Sequence, residues 1–379
     1  MPVGAPPRPN SMVPDKLTLS GGGSMPALGF GTWGIQAPDI DASLRAAVSA
    51  GYRLFDLAPV YNNERAVGDS LSALFEEGVL TRDSIFLTSK VPPTHACSRS
   101  RILAQVRETL RNLHTAYLDL YLVHWPFCVR NDSPTWPPPI SHQLGYSAHQ
   151  LRQTWRTMEE LMARGLVRNI GLSNIGLRRL QSLLASPDLR APPAVIQVEH
   201  HPYNANRELR AFCAAAVPPI RITAYASLGS QARPTKYQKG QPRLLADPAL
   251  QRVAAHHSVP AASIALGWAL RCGVAVIPKS AHPQRIVENA GAVAVARALS
   301  DDEVRRLDSL DRDFRYLEAG WRGYAWREGM RIEELYDDPP PYSAWRSLPL
   351  LVGLLALCCC TCGTRRWLRG AGKLRYENA

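Results

Sequence analysis

Four titratable side chains lie at or just after the ends of short apolar runs in the first third of the chain. Asp56 lies in RLFDLA, and Tyr61 follows five residues later. Lys90 ends IFLTSK, and His124 lies in DLYLVHW. A carboxylate favours the charged form of a nearby ammonium group, and an ammonium group favours the ionised form of a nearby phenol. With an imidazole beside them, these groups would form a site that donates a proton.

The elements that must position these side chains are strands alternating with helices. Eight apolar runs predict strands: ALGFGTW, RLFDLA, IFLTSK, LDLYLVHW, VRNIGLS, AVIQVEH, IRITAYAS and VAVIPKS. Apolar spacing near 3.6 residues predicts helices at 39–50, 64–77, 100–113, 149–164, 176–184, 206–216 and 260–271, with two more at 283–295 and 300–311. Eight such units favour an α/β fold of the closed (β/α)8 TIM-barrel type over an open sheet, and in a parallel barrel the four groups converge on one rim.

The motifs around these groups, GYRLFDLAPVYNNE, LTSK and LYLVHWP, resemble those of the aldo-keto reductase family. The resemblance covers roughly residues 16–312. It implies that Tyr61 is the general acid, that Lys90 and Asp56 tune its pKa, and that His124 orients the substrate oxygen. Taken singly, each has a plainer interpretation as a cap, packing, strand-end or core residue. The four in this order favour NADPH-dependent reduction of an aldehyde or ketone to an alcohol.

The resemblance also implies a binding site for NADPH. Polar groups in GLSN and VIQVEH would hold the nicotinamide amide, and a tyrosine in ITAYASLGS would stack on the ring. The basic segment IPKSAHPQRIVEN would clamp the 2′-phosphate and the adenine, which favours NADPH over NADH. The plainer interpretation of that segment is a solvated basic turn before a helix. The implied cofactor-binding residues are Gly31, Thr32, Trp33, Ser173, Asn174, Gln197, Tyr225, Ser227, Leu228, Ser230, Lys279, Ser280, Arg285, Glu288 and Asn289.

Two long connections, 126–147 and 313–341, interrupt the regular pattern. Long loops in a compact domain are usually functional or disordered, and aromatic residues in such loops suit the wall of an apolar pocket. The alternative is that these aromatic residues only pack the loops onto the barrel. The expected substrate-binding residues are Trp33, His124, Trp125 and Trp321.

Length and composition set the domain organisation. A chain of 379 residues with 46% hydrophobic residues can form one large barrel domain, since such barrels have about 250 residues or more. The Pro-rich residues 1–14 are expected to form a flexible leader, and 15–338 are expected to form the barrel. Its first segment, KLTLSGGGSMPALGFGTW, predicts a β-hairpin that closes the bottom of the barrel. Residues 339–379 are expected to form a Pro-rich linker and a hydrophobic, Cys-rich tail.

The tail contains an uncharged run, 347–364, that includes LPLLVGLLALCCCTCG. As a helix its roughly 18 residues would extend about 27 Å, slightly short of a hydrocarbon core of about 30 Å. Flanking Trp and Arg residues and clustered cysteines favour a transmembrane anchor that holds the barrel on the cytosolic face of the endoplasmic reticulum or outer mitochondrial membrane. The alternatives are a buried or interaction helix, an S-acylated helix that does not span, and a cytoplasmic protein.

The remaining features narrow the classes of partner. The net charge of +12 occurs without a basic run interleaved with aromatic residues, which argues against nucleic acid. No metal site is expected, because the adjacent histidine pairs 200–201 and 256–257 lack i, i+4 spacing and Cys359-x-x-Cys362 lacks a second pair. Cysteines 97, 128, 213 and 272 are scattered without paired spacing, which suggests a reducing compartment.

Two functions follow. The first is a monomeric reductase of a small carbonyl compound, for which the expected membrane tether favours an apolar substrate. The alternative is a membrane-tethered subunit that binds NADPH as a regulator or redox sensor, with little turnover.

Overall fold

The computed structural model describes residues 13–133, 142–230 and 240–317. Within these ranges the strands are β1 (Lys16–Thr18), β2 (Ser24–Pro26), β3 (Gly29–Gly31), β4 (Leu54–Asp56), β5 (Phe86–Val91), β6 (Leu118–Val123), β7 (Cys128–Val129), β8 (Gln143–Gly145), β9 (Val167–Ser173), β10 (Val195–Glu199), β11 (Arg221–Tyr225) and β12 (Ala275–Val276). The helices are α1 (Ile40–Ser49), α2 (Glu64–Glu76), α3 (Pro93–Ala96), α4 (Arg99–Asn112), α5 (Ala148–Ala163), α6 (Leu177–Leu184), α7 (Arg207–Ala215), α8 (Pro248–His257), α9 (Ala261–Arg271), α10 (Pro283–Ala290), α11 (Ala292–Ala298) and α12 (Asp301–Asp308).

Eight parallel strands form a barrel. Their order in the sheet is β3-β4-β5-β6-β9-β10-β11-β12. The first and last strands meet where Leu28 bridges Val276 in parallel and the Val276 amide donates to the Ala27 carbonyl at 2.8 Å. A further bond, from the Gly31 amide to the Pro278 carbonyl at 3.1 Å, extends this seam. The predicted (β/α)8 fold is therefore confirmed, and its carboxyl-end rim is the place where sites in such barrels form.

The hairpin of β1 and β2 lies at the opposite end of the barrel. It buries Leu17 and Met25, while the turn between the two strands is exposed. Arg221, the first residue of β11, donates from Nε to the Thr18 carbonyl at 2.8 Å. A side chain at Gly21 would lie 2.5 Å from Oδ1 of Asn169, near the start of β9. The predicted hairpin thus covers the amino ends of the strands.

The helices pack on the barrel through one apolar face each. In α1 the buried positions include Ile40, Leu44, Ala47 and Val48, which recur at the spacing of a single helical face. All six residues of β5 and of β6 are buried, as expected for strands covered on both faces.

The structure adds elements that the sequence pattern did not predict. A second helix, α8, precedes α9, and Asp247 caps it by accepting from the amides of Ala249 and Leu250. The helix predicted at 283–295 is two helices, α10 and α11, that meet at Gly291. The connection 126–147 contains the antiparallel pair β7 and β8.

The prediction of a transmembrane helix and a membrane attachment has to be corrected. In residues 13–133, 142–230 and 240–317, no helix is long and apolar enough to cross a membrane. The longest, α5, has 16 residues and a mixed sequence, AHQLRQTWRTMEELMA, whereas a span needs about 20 mostly apolar residues. The run 347–364 lies outside the described residues, and we withdraw the membrane assignment made from it.

Two of the four scattered cysteines are paired in the structure. Cys97 and Cys128 form a disulfide, with Cα atoms 5.8 Å apart and a sequence separation of 31. Spacing could not reveal this pair because the two residues follow different strands of the barrel. Cys213 is a free, buried cysteine.

Candidate active site

The four candidate catalytic residues meet at the carboxyl ends of β4, β5 and β6. The Lys90 ammonium donates to Oδ2 of Asp56 at 2.7 Å, to the Leu57 carbonyl at 2.8 Å and to the Tyr61 hydroxyl at 3.1 Å. These three acceptors match the three N–H donors of an ammonium group, so the orientation of the Lys90 ammonium is fixed. The ring of His124 stands at 85° to that of Tyr61, with centroids 6.1 Å apart. The structure therefore brings together all four residues that the motifs indicated.

Local structure explains why each group lies where it does. Asp56 ends β4 and pairs with Thr88 of the parallel strand β5. Lys90 lies two residues beyond Thr88, on the same face of β5, so its side chain reaches Asp56. Tyr61 ends a short 3-10 helix, Pro59–Tyr61, and Asn62 after it has φ of 56°, which turns the chain into α2. His124 follows β6, and its amide donates to the Val91 carbonyl at 3.1 Å.

Burial shapes the protonation of the site. Lys90 is fully buried. Although desolvation lowers its pKa, attraction to Asp56 and Tyr61 outweighs that effect and raises the pKa, so the ammonium stays charged. Desolvation raises the pKa of Tyr61, and the opposing attraction of Lys90 is smaller. Lys90 by itself lowers the pKa of the phenol, as expected from the sequence, but the net shift in the pKa is upward.

His124 is neutral at physiological pH. Desolvation, reinforced by the nearby positive charge of Lys90, holds its pKa well below the ordinary value. Its Nδ1 atom is buried and has no hydrogen-bond partner among the residues that the structure describes. Asn174 donates from Nδ2 to the His124 carbonyl at 2.8 Å and so fixes the backbone that carries the ring. A neutral imidazole can donate a hydrogen bond without adding charge to the pocket.

A second set of polar groups positions the four candidate catalytic residues. Gln197 donates from Nε2 to Oδ1 of Asp56 at 2.7 Å, so both carboxylate oxygens have a partner. Thr32 donates through Oγ1 to the Asp56 carbonyl at 2.9 Å. Asn63 donates to the carbonyls of Thr32 and Ile35 at 2.9 and 3.0 Å. The role of Asn63 was not predicted, although it lies within the quoted motif YNNE.

The residues predicted to bind the cofactor lie along the same rim. Ser173 ends β9 and donates to the Gln197 carbonyl at 2.9 Å. The Tyr225 hydroxyl, at the end of β11, donates to Oδ1 of Asn174 at 2.5 Å. The other members are distributed as follows: Gly31, Thr32 and Trp33 at the end of β3, Ser227, Leu228 and Ser230 after β11, Lys279 and Ser280 after β12, and Arg285, Glu288 and Asn289 on α10.

The basic segment fits a phosphate group. Within the part of the chain that the structure describes, neither Lys279 nor Arg285 forms an ion pair with a carboxylate. Lys279 is half-buried, and desolvation lowers its pKa because no acidic group compensates for it. Ser280 accepts from the His282 amide at 3.0 Å, just before the start of α10. Two cations without anionic partners, one of them partly desolvated, match the chemistry of a bound phosphate.

The expected substrate-binding residues differ in accessibility. Trp33 is 44% exposed, which is unusual for a large aromatic residue and leaves its ring available to a ligand. Trp125 is 4% exposed and packs against Phe127, with ring centroids 5.5 Å apart. Most of the surface of Trp125 is therefore buried by packing, as in the alternative that the aromatic residues only pack the loops onto the barrel. Trp321 lies outside the described residues.

A cluster of possible metal ligands lies away from this rim. His256 Nδ1 and His257 Nε2 each lie 2.9 Å from Oε1 of Glu303, and the three ligand atoms are within 4.8 Å of one another. The spacing of the two histidines did not predict this cluster, because α12 supplies the carboxylate from a separate part of the chain. Glu303 also accepts from Ser300 in a capping box, so hydrogen bonding accounts for the cluster.

Comparison with known proteins agrees with this geometry. Residues 27–312 match the model of the aldo/keto reductase family. The chain belongs to that family. It is 37% identical over 300 residues to an aldo/keto reductase of Synechocystis sp., covering 79% of this chain and 89% of that protein. It is 36% and 34% identical over 307 residues to aldo-keto reductase family 1 member A1 of Mus musculus and of Homo sapiens, covering 81% of this chain and 92% of each relative.

Membership of this family defines the class of enzyme. The chain is an NADP-dependent oxidoreductase that acts on the carbonyl group of a small molecule. The comparisons favour this function over the alternative of a regulatory subunit with little turnover.

Proposed function

We propose that this aldo/keto reductase reduces an aldehyde or ketone at the rim formed by β4, β5 and β6, with Tyr61 as the proton donor. The observation that carries the proposal is the chain of hydrogen bonds from Asp56 through Lys90 to the Tyr61 hydroxyl. We further propose that residues 15–338 form the catalytic domain and that it acts as a monomer.

Tyr61 suits the proton-donating role because two opposing effects act on it. Burial raises its pKa, so the phenol remains protonated at neutral pH and is able to donate. Lys90, 3.1 Å away, stabilises the phenolate that remains once the proton has left. An ammonium group held in a dry site by Asp56 needs no reorganisation when this negative charge forms, which is the main source of catalysis in such sites.

His124 is proposed to orient the carbonyl group. Its neutral ring borders the same space as the Tyr61 hydroxyl, so both can reach one oxygen atom of a substrate. A charged imidazolium would compete with Tyr61 as the acid, whereas the neutral form only positions and polarises the oxygen.

NADPH, when bound, supplies the hydride. We propose that Ser173, Asn174 and Gln197 hold its amide, that the Tyr225 ring lies against the nicotinamide, and that Lys279 and Arg285 bind the 2′-phosphate. Gln197 and Asn174 already contact Asp56 and the His124 backbone, so the proposed cofactor and catalytic groups share hydrogen bonds. Cofactor binding would therefore also order the catalytic rim.

The test of Tyr61 is its replacement by Phe, which removes one oxygen atom and keeps the ring. We expect turnover of NADPH with short, aromatic and long-chain aldehydes to fall about 10²–10⁴-fold, the usual contribution of a general acid. Tyr117→Phe is the matched control, since it removes an exposed hydroxyl that binds Asp83. Full activity of Tyr61→Phe would refute the mechanism.

The test of cofactor preference is Arg285→Ala. Loss of a charge-assisted hydrogen bond costs about 1.5–3 kcal/mol, so the Kd for NADPH should rise about 10–100-fold while the Kd for NADH changes little. Arg107→Ala removes an exposed charge from α4 and serves as the control. Equal weakening of both cofactors by Arg285→Ala would exclude a 2′-phosphate contact.

A further inference from the structure

The disulfide between Cys97 and Cys128 lies beside the proposed catalytic rim. Cys97 directly follows α3, the short helix after β5, which carries Lys90. Cys128 begins β7, four residues after His124. The disulfide thus joins the chain segment that follows Lys90 to the chain segment that follows His124.

The two cysteine residues differ in accessibility. Cys97 is exposed, whereas Cys128 is only 2% exposed. Thiol–disulfide exchange requires a thiolate to reach one sulfur of the bond in line with the other. Attack from solvent is therefore directed to the sulfur of Cys97, with that of Cys128 as the leaving group.

A cavity of about 350 Å³ opens beside Cys97. Its lining comes from the start of α4 and from α5, and it includes Arg99, Arg156, Gln153 and Glu160. Arg99 pairs with Glu160 and Arg156 with Asp188, and both arginine side chains are 61% exposed. Ion pairs this exposed contribute little to stability, so a carboxylate of a ligand can replace the present partner at small cost.

We propose that Cys97 is a site of reversible covalent modification by a small thiol that carries carboxylate groups. The thiolate of the small molecule attacks Sγ of Cys97, forms a mixed disulfide and releases the Cys128 thiolate, which takes up a proton. A second molecule attacks the sulfur of the first, giving the small-molecule disulfide and the Cys97 thiol. Two electrons pass to the protein, and two small thiols are oxidised. The reverse sequence, started by the small-molecule disulfide, restores the bond.

Opening the disulfide would change substrate binding more than it would change the geometry of the four candidate catalytic residues. His124 is held by Val91 and Asn174, and these bonds do not involve the disulfide. The segment from Trp125 to Cys128 instead loses its covalent tie to α3. This expectation rests on the proposed function. It predicts a several-fold rise in KM for bulky carbonyl substrates with kcat nearly unchanged.

The test uses the full chain in buffers of reduced and oxidised glutathione, with alkylation of free thiols and peptide mapping by mass spectrometry. We expect a glutathione adduct on Cys97 as an intermediate, and its accumulation in Cys128→Ser, in which the internal resolving thiol is absent. Cys97→Ser should leave the buried Cys128 unmodified. Cys272→Ser, which removes a partly exposed cysteine outside the pair, should behave as the parent protein.

The charge of the ligand is tested with 2-mercaptoethanol, a neutral thiol, in parallel. Arg99→Gln with Arg156→Gln should lower the rate with glutathione several-fold relative to 2-mercaptoethanol. Equal modification of Cys128 and Cys97, or no adduct on Cys97 in any buffer, would overturn the proposal. Turnover of NADPH by the untreated protein, measured on the same samples, tests the proposed function separately, since adduct mapping does not depend on activity.

Discussion

The ion pair of Asp56 and Lys90 gives the sharpest test of the energetics of the site. Its atoms are 2.7 Å apart, and the two side chains are 4% and 0% exposed. At an effective dielectric constant of about 20 their attraction is about 6 kcal/mol, but desolvation costs several kcal/mol for each ion. The pair as a whole therefore contributes little net stability, whereas either charge left alone is expensive.

Lys90→Met should lower the free energy of unfolding by about 3–5 kcal/mol, because among the described residues the Asp56 carboxylate then keeps only the side-chain amide of Gln197 as a partner. Asp56→Asn should cost somewhat less, since an unpaired Lys90 can release its proton. The double variant should fall short of the sum of the two costs by about 2–3 kcal/mol, because no uncompensated charge remains.

The assay is urea denaturation of the four proteins, compared at equal m values. The exposed pair of Arg65 and Asp69 has a similar separation, 3.0 Å, with side chains 68% and 55% exposed, and provides the control. Arg65→Met and Asp69→Asn should change stability too little to resolve. If Lys90→Met behaved like Arg65→Met, or if the two buried substitutions were additive, burial of the pair would not govern its energetics.

Three further predictions concern the same fold. Burial raises the pKa of Tyr61 above its ordinary value of about 10. The value of kcat/KM for carbonyl reduction should therefore stay level across neutral and mildly alkaline pH and fall only as the phenol ionises. A decline in kcat/KM centred near neutral pH would contradict the role of Tyr61 as a buried, protonated acid. Burial holds the pKa of His200 well below its unfolded value of about 6.5, so the unfolded state takes up the proton first and stability should fall as pH drops below about 6.5. His200→Phe should make denaturation midpoints less sensitive to acid, and an unchanged slope would refute that assignment. Gly68→Ala gains about 0.5–1 kcal/mol of helix propensity, but the added Cβ would lie 2.8 Å from the Cα of Leu113. We therefore expect the free energy of unfolding, measured by heat or urea, to fall by about 1–3 kcal/mol. Ser72→Ala in the same helix should leave stability nearly unchanged.

The barrel was predictable because its signals are local. Strands buried on both faces appear as short apolar runs, and the helices between them show one apolar face, so eight repeats of the unit could be recognised in order. Helix α8 was missed because PALQRVAAHH contains few large apolar residues and its stability depends on packing against α9 and on the Asp247 cap. The boundary between α10 and α11 at Gly291 likewise depends on packing against neighbouring elements and not on the pattern of apolar residues.

The sequence by itself determined the family, the order of the strands and the four candidate catalytic residues, since a motif fixes which chemical groups occur and in what order. Only the tertiary structure decided how those groups interact. Burial, which depends on the whole barrel, reverses the expected net shift in the pKa of Tyr61 and keeps His124 neutral. Contacts between distant segments join Cys97 to Cys128 and bring Glu303 to His256 and His257. Spacing along a chain carries no record of such contacts, because they arise only when separate elements pack together.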